Sequence, residues 1–220
     1  MKRIAYSLLT YRLDQVWFPA GLWALFAIIL LIMRGTADQA FNMARSYLGA
    51  VMPLTAGIMA AYALLEDPAL ELRFAIRLPA WKALAERLAI TFAIAAITAL
   101  GFQGVTALLG VSLEPLGGFW AIQLAWLAPT LALMALGCTV SLAFGQSNGG
   151  AIVVGLVWLM ELLLRGWFID HRWARYLLVF FGILAPEHPS LPANQVTLLL
   201  LAALLLLGAQ HLFKQQERYI

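Results

Sequence analysis

Along the chain, apolar residues come in long uninterrupted runs, and the polar residues gather between the runs rather than alternating with them. Five runs are long enough to cross a bilayer as they stand, at 17–33, 47–65, 88–109, 119–144 and 196–213, and a sixth, 151–168, carries Glu161 and Arg165 within it. One crossing takes about 20 apolar residues. Hydrocarbon offers no water to backbone N–H and C=O groups, so a spanning segment must be a helix or part of a closed barrel. Barrel strands alternate in polarity, and these runs do not. The pattern therefore predicts an all-α integral membrane protein, a single domain over 1–220 with six transmembrane helices.

Composition agrees. Of the 220 residues, 63% are hydrophobic and 11% charged, with a mean hydropathy of +0.87. A soluble domain has about 45–50% apolar and about 25% charged residues. The net charge of +3 would point to nucleic acid in a soluble protein, but here the basic residues lie between the apolar runs, where they set orientation. No nucleic-acid partner is expected; the partner is the lipid membrane. With six spans both termini lie on one side. That side holds Lys2, Arg3, Arg12, Arg73, Arg77, Lys82, Arg87, Lys214 and Arg218; the other holds Arg34, Arg45, Arg165, Arg172 and Arg175. Positive charge is retained inside, which predicts cytoplasmic termini and a multi-pass protein of the inner membrane. Met1-Lys2-Arg3 resembles the start of a signal peptide, yet Tyr11, Arg12 and Asp14 break the apolar stretch early, so the N-terminus is expected to be retained.

Three segments outside the spans carry pattern of their own. Residues 1–16 place Ile4, Leu8 and Tyr11 at helical spacing, which predicts an amphipathic helix lying in the cytoplasmic interface. Residues 66–87 form a cytoplasmic loop with four carboxylates and four basic residues. Asp67 can cap a helix that has Pro68 at its first position, Leu70, Phe74 and Arg77 share a face, and Pro79 stops it. Between the last two spans, 165–195 contains only nine consecutive apolar residues, 176–184, before a proline-rich stretch. Nine residues are too few to cross, so this piece either dips in and returns or packs as a short outer helix.

Two stretches carry a likeness to a known family. One is Ala63-Leu64-Leu65-Glu66-Asp67-Pro68-Ala69-Leu70-Glu71-Leu72 followed by Arg77-Leu78-Pro79-Ala80-Trp81-Lys82; the other is Leu136-Gly137-Cys138-Thr139-Val140-Ser141-Leu142-Ala143-Phe144 with its polar turn at 145–150. With the order of elements, they make the chain resemble the permease subunits of type-2 ATP-binding-cassette (ABC-2) exporters. The resemblance implies that the cytoplasmic helix is a coupling helix, presenting Glu66, Asp67, Glu71, Arg73, Phe74 and Arg77 to a separate ATPase. It further implies a second permease subunit, same or homologous, and two ATPase copies that carry the ATP and Mg. The chain itself has no G-x-x-x-x-G-K-[ST] loop and is expected to bind no cofactor and not to be an enzyme.

Four polar residues inside spans are candidates for a translocation path. Glu161 and Arg165 stand one turn apart and either line the path or pair near the interface; Gln103 and Gln123 either line it or hydrogen-bond between helices. Scarce intramembrane charge favours an amphipathic or lipid-like cargo. His171, His188 and His211 are too scattered for a metal site, and Cys138 has no partner. Two further readings stand beside transport: a membrane scaffold, and an intramembrane hydrolase. The second is suggested by Glu161-Leu-Leu-Leu-Arg165, which is similar to the glutamate and arginine signature of prenyl-protein proteases but lacks its doubled glutamate and later histidines.

Overall fold

The computed structural model describes residues 14–66 and 80–214, and among them every regular element is helical. In chain order these are α1 (Asp14–Met33), α2 (Ala37–Ser46), a π-helical turn (Tyr47–Val51), α3 (Met52–Tyr62), α4 (Ala80–Leu108) and α5 (Phe119–Phe144). Then come α6 (Ser147–Leu163), α7 (Arg165–Asp170), α8 (Phe181–Leu184) and α9 (Leu191–Phe213). Four of them, α1, α4, α5 and α9, are long and apolar enough to cross a membrane, and α6 is a shorter apolar helix. This fits a transmembrane protein. Residues 1–13 of the expected interfacial helix and 67–79, including Asp67, Glu71, Arg73, Phe74 and Arg77, lie outside the described residues, and 14–16 belong to α1 rather than to a separate interfacial helix.

Boundaries differ from the hydropathy pattern for local reasons. The run expected at 47–65 is the second half of a helical stretch that starts at Ala37, after Thr36 in extended conformation and with Asp38 in the first turn, where a carboxylate complements the helix dipole. Residues 80–87 are not loop but the first two turns of α4. Ala80, Lys82, Ala83, Leu84, Ala85 and Glu86 are strong helix formers, and Pro79 immediately precedes them. The run at 151–168 breaks at Leu164, next to Gly166, into α6 and the short α7.

α5 is the hub. Most of it is buried, whereas α1, α4 and α9 keep largely exposed apolar faces. It packs against α3, α6 and α9. Close approach depends on glycine: a Cβ on Gly137 of α5 would run into the Gly57 carbonyl of α3, and one on Gly150 of α6 would run into Ser141 Oγ and lie 2.6 Å from the Gly137 carbonyl. Without a hydrophobic drive between helices in lipid, such small-residue contacts supply the van der Waals packing that holds a bundle together. Gly145, at φ 66°, ends α5 in the left-handed conformation, and α6 starts two residues later. Across this turn the Tyr62 hydroxyl donates to Asn148 Oδ1 at 2.8 Å.

Gly137→Val should overpack the α3–α5–α6 crossing and lower stability by about 1–3 kcal/mol, whereas Gly155→Ala, with nothing within 4 Å of its new methyl, should be neutral or slightly stabilising. Thermal unfolding of both variants in the same detergent separates the two outcomes.

Candidate functional site

Past α7 the chain is irregular, and its 178–183 stretch is buried. Leu178, Val179, Phe180, Phe181 and Ile183 are all buried, although the backbone from 171 to 190 contains only a 3-10 turn (Ala174–Tyr176) and α8. The choice left open by the nine apolar residues resolves toward a segment that folds into the bundle. A Cβ added at Gly182 would lie 3.5 Å from Ala125 Cα of α5, and Ile183 lies over Gly49, where a Cβ would collide with its Cγ2.

That second contact rests on the π-helical turn. Pro53 has no N–H to give the Gly49 carbonyl, so the regular ladder fails there and the helix widens, with Met52 N bonded back to Tyr47 O. The kink expected from Pro53 thus takes the form of a wide turn. Its Ala50 carbonyl accepts a hydrogen bond from Trp158 Nε1 of α6 at 2.9 Å, and the Trp158 ring stands edge-on to Phe180 at 5.7 Å.

Irregular backbone away from water must find protein partners, since each lost bond costs roughly 1–3 kcal/mol. Two side chains supply them. Glu161, 4% exposed, accepts a hydrogen bond from the Val179 N–H at Oε2, 2.7 Å away. Asn194, 1% exposed in the first turn of α9, shares its two Nδ2 hydrogens among the carbonyls of Arg175 (2.9 Å), Tyr176 (3.2 Å) and Leu178 (2.9 Å). Glu161 makes no ion pair with Arg165, whose side chain is exposed beyond the break in the helix. The paired reading of these two residues gives way to a carboxyl that binds backbone.

Beside Glu161 lies a cavity of about 730 Å³. α6 and α9 both pack on α5 and leave a gap between them; Ala132, Leu133 and Leu136 form its floor, and Val157, Leu201 and Leu205 its sides. Trp167, Phe168 and Trp173 complete the lining, with the two tryptophan rings edge to face at 5.6 Å. Met160, Leu164, Trp167, Trp173 and Leu177 are exposed at its mouth, so it opens sideways. Among the described residues, Glu161 is the one ionisable group in the lining. The volume is that of a small-molecule site, typically about 300–1,000 Å³, and the composition, apolar with one polar group, is typical as well.

Gln103 and Gln123 sit elsewhere, between α4 and α5. Their amides bond reciprocally, Gln103 Nε2 to Gln123 Oε1 at 3.3 Å and Gln123 Nε2 to Gln103 Oε1 at 2.8 Å, and Trp126 Nε1 adds a bond to Gln123 Oε1. This is an interhelical clasp, remote in the fold from the cleft. Glu66 lies in the turn after α3, its N–H 3.4 Å from the Tyr62 carbonyl. Among the described residues no group of three His, Cys, Asp or Glu side chains converges as a metal ion would require.

Asn194 and Trp158 were not legible as functional positions from spacing. The available signal for Asn194 was an amide in the first turn of an otherwise apolar helix, directly after a proline-rich stretch. No family model, no curated protein and no solved structure matches the chain.

Glu161→Leu should leave the Val179 N–H without its acceptor and destabilise the protein by about 1–3 kcal/mol, while Glu161→Gln keeps an oxygen there and should cost much less. Asn194→Leu should loosen the same segment. Cysteine introduced at Phe180 and labelled with a maleimide reads both: slow labelling is expected in the parent and Glu161→Gln, fast labelling in Glu161→Leu and Asn194→Leu. A second test addresses the clasp. Gln103→Leu and Gln123→Leu should each destabilise, and the double change should cost less than their sum because neither amide is then stranded; thermal unfolding of the four proteins closes the cycle.

Proposed function

We propose that this chain is the membrane-spanning permease subunit of an ATP-driven exporter of the ABC-2 type, working as a pair of six-span halves in the inner membrane. The four long helices account for spans one, three, four and six. The stretch Ala37–Tyr62, through its π-helical turn, serves as the second span, and α6 as the fifth. Both termini are then cytoplasmic, and the 164–190 segment faces outward. The observation that carries the reading is the succession of elements itself. Two spans lead to the charged 66–79 connection, three more follow, a broken segment folds into the outer end, and a last helix closes the bundle.

In this reading the 66–79 connection meets the ATPase, together with the turn after α5, which Tyr62 and Asn148 join to the end of α3. A push there is delivered to α3 and α4, which flank the connection, and through the Gly57–Gly137 contact to α5. The lateral cleft between α6 and α9 offers an amphipathic or lipid-like cargo an apolar wall near the outer end. ATP and Mg belong to the partner subunits, and this chain couples and conducts.

Purification of the tagged full chain from its native host in mild detergent is expected to bring down an ABC ATPase, and the double change Glu71→Ala, Arg73→Ala is expected to lose it. If the parent remains dimeric and no ATPase accompanies it, the permease reading fails and a scaffold role takes its place.

A further inference from the structure

The cleft beside Glu161 has a chemistry more specific than a slot for lipid tails. Its walls are aliphatic and aromatic, and a single acidic side chain is set into them, 4% exposed. One carboxyl oxygen is taken by the Val179 N–H; the other makes no hydrogen bond among the described residues. A carboxyl set into an apolar wall favours a donor or a positive charge that reaches its free oxygen. Trp167, Phe168 and Trp173 line the same cleft, and aromatic faces attract cations. Lipid tails answer only the apolar walls, and an anionic amphiphile would find no lysine or arginine among the described residues of the lining.

We propose that the cleft between α6 and α9 binds lipophilic cations, with the apolar body against Leu136, Val157 and Leu201 and the positive centre between Glu161 and the Trp167–Trp173 pair. The inference deepens the permease reading by naming the class of ligand its outer cleft takes. Entry is lateral, since the mouth of the cleft is exposed along Met160, Leu164 and Leu177. The two oxygens of Glu161 then act separately, Oε2 holding the segment that caps the cleft and the other facing the ligand. A cation and a proton compete for one carboxyl, so binding weakens as pH falls. No titratable side chain from α5, α7, α9 or the 171–179 segment lines the cleft to share that dependence, and Arg165, Asp170, His171 and Arg172 are exposed outside it.

The test compares two ions of the same shape and opposite charge, tetraphenylphosphonium and tetraphenylborate, by equilibrium dialysis against the purified full chain in a neutral detergent. No ATPase is present, so the outcome is separate from that of the co-purification. The parent is expected to bind the phosphonium and to discriminate against the borate by at least about tenfold. Glu161→Gln, which retains the acceptor for Val179 N–H, should erase the discrimination while leaving the size-exclusion profile and maleimide labelling at Phe180 unchanged. Leu201→Trp, and independently Val157→Phe, should fill the cleft and abolish phosphonium binding. Equal binding of both ions, binding of neither, or phosphonium binding indifferent to Glu161→Gln and to both filling variants would overturn the proposal and leave the cleft as a lipid slot.

Discussion

The constraint on which this fold turns is the hydrogen-bonding of backbone that is buried without being helical. Straight spans satisfy their own N–H and C=O groups and need only apolar surface and close neighbours. The 174–183 segment cannot do so, and most of it is buried against α5, α6 and α9. Glu161 and Asn194 meet it from opposite sides, one accepting from an N–H and the other donating to three carbonyls. The two side-chain types match the groups they meet, since a carboxyl accepts and an amide nitrogen donates, and an apolar residue at either position would strand backbone groups. The π-helical turn extends the same logic, since Pro53 breaks the ladder and Trp158 supplies a donor to a carbonyl of the widened turn.

Around that anchored segment the remaining contacts are steric. α5 meets α3 and α6 through Gly57, Gly137 and Gly150, so the helices approach to backbone distance at one crossing. α6 and α9, in contrast, both lean on α5 without closing on each other. The tight crossing and the open cleft are linked by geometry. Thr139 Oγ1 of α5 is shared between Ala135 O at 2.7 Å and Leu205 O at 2.9 Å, which fixes α9 on its side of the hub. With α6 drawn in by glycine on one side and α9 fastened through Thr139 on another, the space between them stays open.

How much of this could be read from the residues follows from the range of each interaction. The long spans were legible because hydropathy is a local sum, and α5 matches its apolar run end to end at Phe119–Phe144. Gln103 and Gln123 were legible only as intramembrane polar residues that either line a path or bond between helices, and the structure pairs them with each other across one short connection. Glu161 was singled out as an intramembrane carboxylate, yet its role was not legible. The arginine four residues on is the obvious partner in a continuous helix, but the helix ends at Leu163 and the true partner lies 18 residues away. Asn194 and Trp158 bind carbonyls 16 to 19 and 108 residues distant, which no local pattern encodes. The start of α4 at Ala80 was hidden because its first turns are charged, and charge reads as loop in a hydropathy profile even where the residues are strong helix formers.

The choice of glutamate at 161 bears on function more than on folding. If the side chain had only to satisfy the Val179 N–H, glutamine or a serine bridged by water would do so without placing an ionisable group in an apolar wall, where an unpaired charge is costly. A carboxyl is the costlier solution to the structural problem, and it both accepts from a backbone N–H and can give up its proton in favour of a cation that enters beside it. Its position fits that second role. Glu161 lines the cleft together with Trp167 and Trp173, and among the described residues no arginine or lysine lines it.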